Sequence, residues 1–248
     1  MKSRLLILFL IYFLLTYKIN LAQQPKIKIY FIHGQGSDSR IFSKIMINEN
    51  FDTAYLNLPM PDKSDNMQSF AKQLIPKIDT TQAFVLIGVS LGGMVASELH
   101  ELIHPALTII ISSAKNSSEL PQRYKFMKTI PIYKIFPAGL IKSSSFIMQP
   151  LVEPDRRLEK ELFKSMLQKK DKHFLKKTIP LIVKWDKKDN KGTGLHHIHG
   201  NKDHTIPSRN VKNALIIPKG SHMMTLTCAE IISEKINEQL RQLIDTKK

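Results

Sequence analysis

A single cysteine, Cys228, stands among 248 residues, which excludes an internal disulfide. Stability must then come from a hydrophobic core. Cys228 falls near the start of the last helical pattern, where a thiol's acidity can rise; ordinary packing is its plainer role. Acidic residues are also scarce: 21 Asp and Glu face 37 Lys and Arg, a formal net charge of +16. Setting aside Lys2, Arg4 and Lys18 still leaves +13, so an anionic partner or surface is expected. Nucleic acid is excluded as that partner, because there is no zinc-finger spacing, no ribonucleoprotein signature and no interleaving of basic with aromatic residues. Internal repeats, low-complexity tracts and interdomain linkers are missing too. The length suits one α/β domain with a full core and an inserted subdomain.

No apolar run is comfortably long enough to span a membrane, which takes ~20 residues. The amino-terminal run, Leu5 to Leu15, follows basic Lys2 and Arg4 and precedes a small residue, Ala22. That is the shape of a secretory signal over residues 1–22. Asn20 occupies a position where a second small residue is expected, which leaves an uncleaved anchor open. No cysteine follows the run, which argues against a lipid-modified terminus. The chain is expected to be exported, periplasmic or secreted, or held by that segment.

What is present is an alternation of strands and helices. Strands are expected at Lys26–Ile32, Phe51–Leu58, Ala83–Val89, Leu107–Ala114, Leu195–His199 and Asn213–Ile217. Helices are expected after Ser37 or Asp38 through Ile45, over Ser64–Lys77, as an amphipathic segment from Met94 to His104, and from Thr227 onward. In the last, Thr227 and Glu230 have capping-box spacing, and Ile232, Ile236, Leu240 and Leu243 face inward. Such alternation implies a mostly parallel sheet of about six strands flanked by helices. From Lys115 to Asn190 it stops, leaving helical segments broken by Pro121, Pro131, Pro137, Pro150, Pro154 and Pro180. The clearest is Asp155–Lys169, with Leu158, Leu162, Phe163, Met166 and Leu167 on one stripe. This insertion holds 18 Lys and Arg against 8 Asp and Glu. The core is thus expected at 23–114 and 191–248, with a helical cap at 115–190.

The most informative stretch is Phe84-Val85-Leu86-Ile87-Gly88-Val89-Ser90-Leu91-Gly92-Gly93, an apolar strand running through Gly-x-Ser-x-Gly into a helix. It reads as a nucleophile elbow, which presents a serine hydroxyl at the carboxyl end of a buried strand. Gly88 and Gly92 supply the small residues that the tight turn needs, and the Leu91 amide points where an oxyanion would form. A serine alcohol needs a base to take its proton, and the base needs a carboxylate to hold its tautomer. Two later strand ends offer them: Asp203 in His199-Gly200-Asn201-Lys202-Asp203, and His222 in Pro218-Lys219-Gly220-Ser221-His222. Asp186 and Asp189 are poorer acids, because no strand end presents them.

In these three motifs and their order the chain resembles the α/β-hydrolase superfamily, over roughly Lys26 to Ile244. The resemblance implies an α/β-hydrolase fold with a helical cap inserted before the acid-bearing strand, and a sheet reduced at its start. It implies catalytic Ser90, Asp203 and His222. It also implies an oxyanion hole from the backbone amides of Gln35 and Leu91, with His33 and Gly34 structural in the loop that carries Gln35. Most such capped enzymes are carboxylic ester hydrolases, so a capped serine esterase or lipase-like enzyme working through an acyl-enzyme is what the resemblance implies. Thioesterase, amidase and acyltransferase chemistry use the same residues, and a slow-turnover, receptor-like binding protein stays open. No cofactor is implied. A metal is not expected either: His196, His197, His199 and His204 crowd one segment, but strand alternation sends His196 to the face opposite His197 and His199. The expected partner is a small ester-like substrate, and the lysine excess points to an anionic one or to an anionic envelope or membrane surface. A merely solvated lysine-rich face is the alternative.

Overall fold

The computed structural model describes residues 26–152, 159–188 and 194–245. The expected signal segment at 1–22, Asp155 to Leu158 of the expected insertion helix, Pro154, Asp189 and Asn190 lie outside the described residues.

Six strands form one sheet: β1 (Ile27–Ile32), β2 (Phe51–Leu56), β3 (Phe84–Val89), β4 (Leu107–Ile111), β5 (Leu195–Gly200) and β6 (Leu215–Ile217). Their order is β2-β1-β3-β4-β5-β6, and every neighbouring pair is parallel. Because side chains alternate along a strand, each apolar run feeds two cores. Tyr30, Ile32, Leu86 and Ile110 face one core, which helices α1 (Met67–Lys72) and α2 (Leu91–Ile103) cover with Phe70, Val95 and Leu99. Ile29, Phe31, Val85, Ile87 and Ile109 face the other, which the last helix α8 (Ala229–Asp245) covers with Ile232, Ile236 and Leu240. Strands β3 and β4 are buried at every residue, as central parallel strands must be. The chain leaves β1 for β2 on one side and returns to β3 on the other, so the carboxyl ends of β1 and β3 bound a topological switch point, where such sheets bind ligands.

Between β4 and β5 lie α3 (Gln122–Thr129), α4 (Ala138–Val152), α5 (Lys160–Lys169) and α6 (Lys172–Val183). The stripe expected of α5 is present: Phe163, Met166 and Leu167 are buried, with Leu162 packed partly against the same core. Two prolines do not break helices. Pro150 lies inside α4 and Pro180 inside α6.

Other boundaries differ from expectation for local reasons. The helix after Asp38 is one 3-10 turn, Ser39–Phe42, with the Asp38 side chain accepting from the Arg40 amide. The expected Ser64–Lys77 helix is α1 followed by a separate turn at Ile75–Lys77, because Pro76 lacks an amide and disfavours helical backbone in the residue before it. Strand β2 stops at Leu56 and β4 at Ile111, where Ser112 turns to φ 47°; Asn213, at φ 51°, delays β6 to Leu215. Helix α2 is not amphipathic over its first turns, since Leu91 through His100 are all buried between the sheet and α1. The Thr227–Glu230 capping box does not form. Thr227 ends a short turn, α7 (Met224–Thr227), and the Cys228 carbonyl accepts from the Ile232 amide at 3.1 Å, which puts Cys228 at the N-cap of α8.

Candidate active site

Ser90 joins β3 to α2 with φ 54° and ψ −121°, a conformation that a non-glycine residue adopts only when its surroundings force it. The forcing is steric. A Cβ on Gly88 would overlap the Gly92 carbonyl and lie 2.7 Å from Gly93 Cα. One on Gly92 would overlap the Ile32 and His33 carbonyls at the end of β1. Gly92 thus serves two turns at once: it lets the elbow close and lets the loop after β1 lie against Ser90. Two hydrogen bonds secure the elbow from the end of β4 and the turn after it, the Ser90 amide donating to Ile111 O at 3.1 Å and Ser113 Oγ donating to Ser90 O at 2.7 Å.

Three expected residues come together here from strand ends that are remote in sequence. His222 Nε2 lies 2.9 Å from Ser90 Oγ, and His222 Nδ1 lies 2.8 Å from Asp203 Oδ2. A carboxylate only accepts, so Nδ1 carries the imidazole proton and Nε2 turns its lone pair to the serine hydroxyl. The second oxygen of Asp203 accepts from the amides of Thr205 and Ile206, each at 2.8 Å, and the side chain is fully buried. Its loop and the histidine loop meet backbone to backbone. A Cβ on Gly200 would overlap the Gly220 carbonyl and lie 3.0 Å from Gly220 Cα. The two glycines lie in the stretches that carry Asp203 and His222, but nothing in either stretch by itself signals that they touch.

His33 and Gly34 sit beneath Ser90. A Cβ on Gly34 would be 3.2 Å from Ser90 Cβ, and the Gly34 amide donates to Ser37 Oγ at 3.1 Å. His33 is buried and donates Nδ1–H to Gly34 O at 2.8 Å. Burial, with the nearby Lys170 ammonium adding to it, lowers its pKa to about 4, so it stays neutral. Gln35 follows in the same loop. Its side chain, which the sequence did not single out, donates Nε2–H to Leu175 O at 2.9 Å and to Thr178 Oγ1 at 2.7 Å, tying the loop to α6 overhead. Leu91 is the first residue of α2, and its amide is one of those a helix N-terminus leaves without an intrahelical acceptor.

His197 and His199 share one face of β5, with His197 Nε2 3.1 Å from His199 Nδ1. His199 Nε2 donates to Ile206 O at 2.8 Å and lies 3.5 Å from Asp203 Oδ2, so it props the acid's loop from below. Burial pushes both histidines down, His197 far below its ordinary value. Beyond them Glu119, buried and raised by that burial, places Oε2 3.9 Å from His197 Nδ1. His196 and His204 are exposed, as is Asp186. Among the described residues no group of three His, Cys, Asp or Glu side chains could hold a metal ion.

A cavity of about 250 Å³ opens over Ser90 and His222. Met94, with Tyr124, Ile141, Phe163, Leu175 and Ile182 from α3 to α6, gives it a mainly apolar wall.

No family model matches the chain, and no curated protein matches it. Solved structures do. A lipase-esterase related protein from Clostridium acetobutylicum is 15% identical with a TM-score of 0.64, over 87% of this chain and 95% of that one. An esterase from Thermogutta terrifontis is 15% identical at TM-score 0.62, over 88% and 90%. The enol-lactonase from Burkholderia xenovorans is 11% identical at TM-score 0.66, over 89% and 93%. The chain therefore has the α/β-hydrolase fold, and its all-parallel six-stranded sheet is that fold's core.

Proposed function

We propose that this protein is an exported serine hydrolase that cleaves carboxylic esters through an acyl-enzyme. The hydrogen-bonded line from Asp203 through His222 to Ser90 is what carries the proposal. Ser90 Oγ attacks the ester carbonyl while its proton passes to His222 Nε2, and Asp203 stabilises the imidazolium that results. Negative charge develops on the carbonyl oxygen, where the backbone amides of Gln35 and Leu91 donate to it. The tetrahedral intermediate collapses as His222 returns that proton to the departing alkoxide, which leaves as an alcohol. Water then adds to the acyl-enzyme, giving a proton to His222, and the acid is released as Ser90 regains its own. The apolar cavity wall favours an acyl group of modest length. Esterases among proteins of this fold support the same reading.

Hydrolysis of p-nitrophenyl esters of graded chain length, by the parent and by Ser90→Ala, tests it. Multiple turnovers with the parent are expected, with a fall of about 10,000-fold or more in the variant. Equal rates for the two would end the proposal. Acceptor alcohols or amines added to the same assay would divert the acyl group if the chain were an acyltransferase.

A further inference from the structure

We infer that the outer face of α3, α4 and the turns between them docks on an anionic lipid bilayer. Large apolar side chains are concentrated there. Phe126, Ile130, Ile132, Ile135 and Phe136 are all exposed, Ile135 at 78%. On α4, Leu140 and Ile147 are exposed as well, seven apart on the outward side of the helix. Scattered apolar side chains are normal on a soluble surface; a contiguous run marks a contact.

The face is held in this arrangement from beneath. Helix α6 packs against both α3 and α4 and buries Phe174, Leu175 and Leu181. Its Lys176 donates Nζ–H to Phe136 O at 2.8 Å and to Lys134 O at 3.3 Å, fixing the backbone of the turn that presents Ile135 and Phe136.

Charge decides the occupant. From Leu120 to Val152 there is no Asp or Glu; Arg123 and Lys142 there donate to backbone carbonyls, of Thr205 and of Gln168 and Lys170, while Lys125, Lys128 and Lys134 are exposed. Ordinary solvated surfaces mix the two signs. A second copy of this face, meeting it across a two-fold axis, would set cation against cation with no acid to pair them. A bilayer with anionic headgroups takes up both features together, acyl chains meeting the apolar residues and phosphates the lysines. The same two helices contribute Tyr124, Ile141 and Ser145 to the cavity over Ser90, so docking sets the cavity against the lipid. Docking itself does not depend on what Ser90 does.

The test uses the full chain carrying Ile135→Trp, and separately Ile147→Trp. The native Trp185 is buried and donates to Glu98 Oε1, so its emission serves as a constant background. Vesicles of phosphatidylglycerol and phosphatidylcholine with brominated acyl chains should shift the new emission to the blue and quench it. Vesicles of phosphatidylcholine alone should not, and salt at about 0.5 M should reverse the effect. Combining Lys125→Gln, Lys128→Gln and Lys134→Gln should raise the lipid needed by about 100-fold. A probe that stays water-exposed overturns the inference, whether the chain fails to sediment with vesicles or sediments through its amino-terminal apolar run. A blue shift that grows with protein concentration without lipid assigns the face to a second copy and overturns it too. So does an equal response to both kinds of vesicle.

Discussion

Ser90 holds a backbone conformation that costs a non-glycine residue about 1–3 kcal/mol, and the Ser113 hydroxyl and Ile111 carbonyl are the groups that keep it there. The strain aims Oγ at His222 rather than into the helix. In the proposed mechanism Asp203 works through His222 by fixing its tautomer. Replacing it as Asp203→Asn puts an amide where a carboxylate accepted, so the imidazole can turn its protonated nitrogen to Ser90; kcat for ester hydrolysis should fall by about 10,000-fold with KM little changed. A loss of tenfold or less would show that another group orients His222. His33 sets a stability limit at the same scale. Its folded pKa of about 4 lies below the ordinary 6.5, so below pH 6.5 the unfolded chain binds a proton that the folded chain refuses. Stability from His33 is complete above about pH 6.5 and is lost as pH falls towards 4, by about 3 kcal/mol. The lowered His197 and His199 act in the same direction. Urea unfolding between pH 7 and 4 should show a steep acid loss, made shallower by His33→Gln relative to its own stability at pH 7.

Elements place these residues through backbone contacts that tolerate no side chain. The loops after β5 and β6 meet at Gly200 and Gly220, and that contact sets the distance between Asp203 and His222. Gly200→Ala should force the loops apart, lowering the melting temperature by several degrees and the proposed ester hydrolysis by about 100-fold with Ser90, Asp203 and His222 themselves unchanged. Gly139→Ala is the matched control: nothing lies within 4 Å of its Cβ, and it sits in α4. That change should be neutral or stabilising by up to about 1 kcal/mol. Gln35 links two elements in another way, through its side chain to α6. Gln35→Ala leaves its backbone amide in place but frees the loop, so kcat should fall about tenfold, with the preference among acyl lengths altered because α6 also walls the cavity.

At the scale of the whole molecule, two apolar cores on the faces of one parallel sheet supply the stability, with no internal disulfide to add to it. Cys228, the lone cysteine, is half-buried beside α8. Melting temperature should therefore be the same within about 1 °C with and without reductant; a larger drop on reduction would mean a covalent dimer contributes. Charge is the other whole-molecule property. The excess of lysine falls between β4 and β5, in the same segment whose helices wall the cavity, so in the proposed docking one segment would both shape the cavity and meet the lipid.

The strand-turn-helix at Ser90, the parallel sheet, and the order of serine, acid and histidine were legible from the sequence, because they rest on local physics: apolar runs of strand length, glycines where a turn needs them, and polar residues just past strand ends. Helix ends were less so. Pro180 inside α6 and Cys228 at the cap of α8 follow from packing, which overrides local propensity. Only the tertiary structure decided what depends on which surfaces meet. It paired Gly200 with Gly220, stacked His199 under Asp203, and turned the Gln35 side chain to α6. It also gathered Phe126, Ile135 and Ile147 on an outward face. Such contacts leave no periodic trace, whether the residues are twenty positions apart, as Gly200 and Gly220 are, or more than a hundred, as Gln35 and Thr178 are, because nothing in a local pattern says which loop another will touch once the sheet has formed.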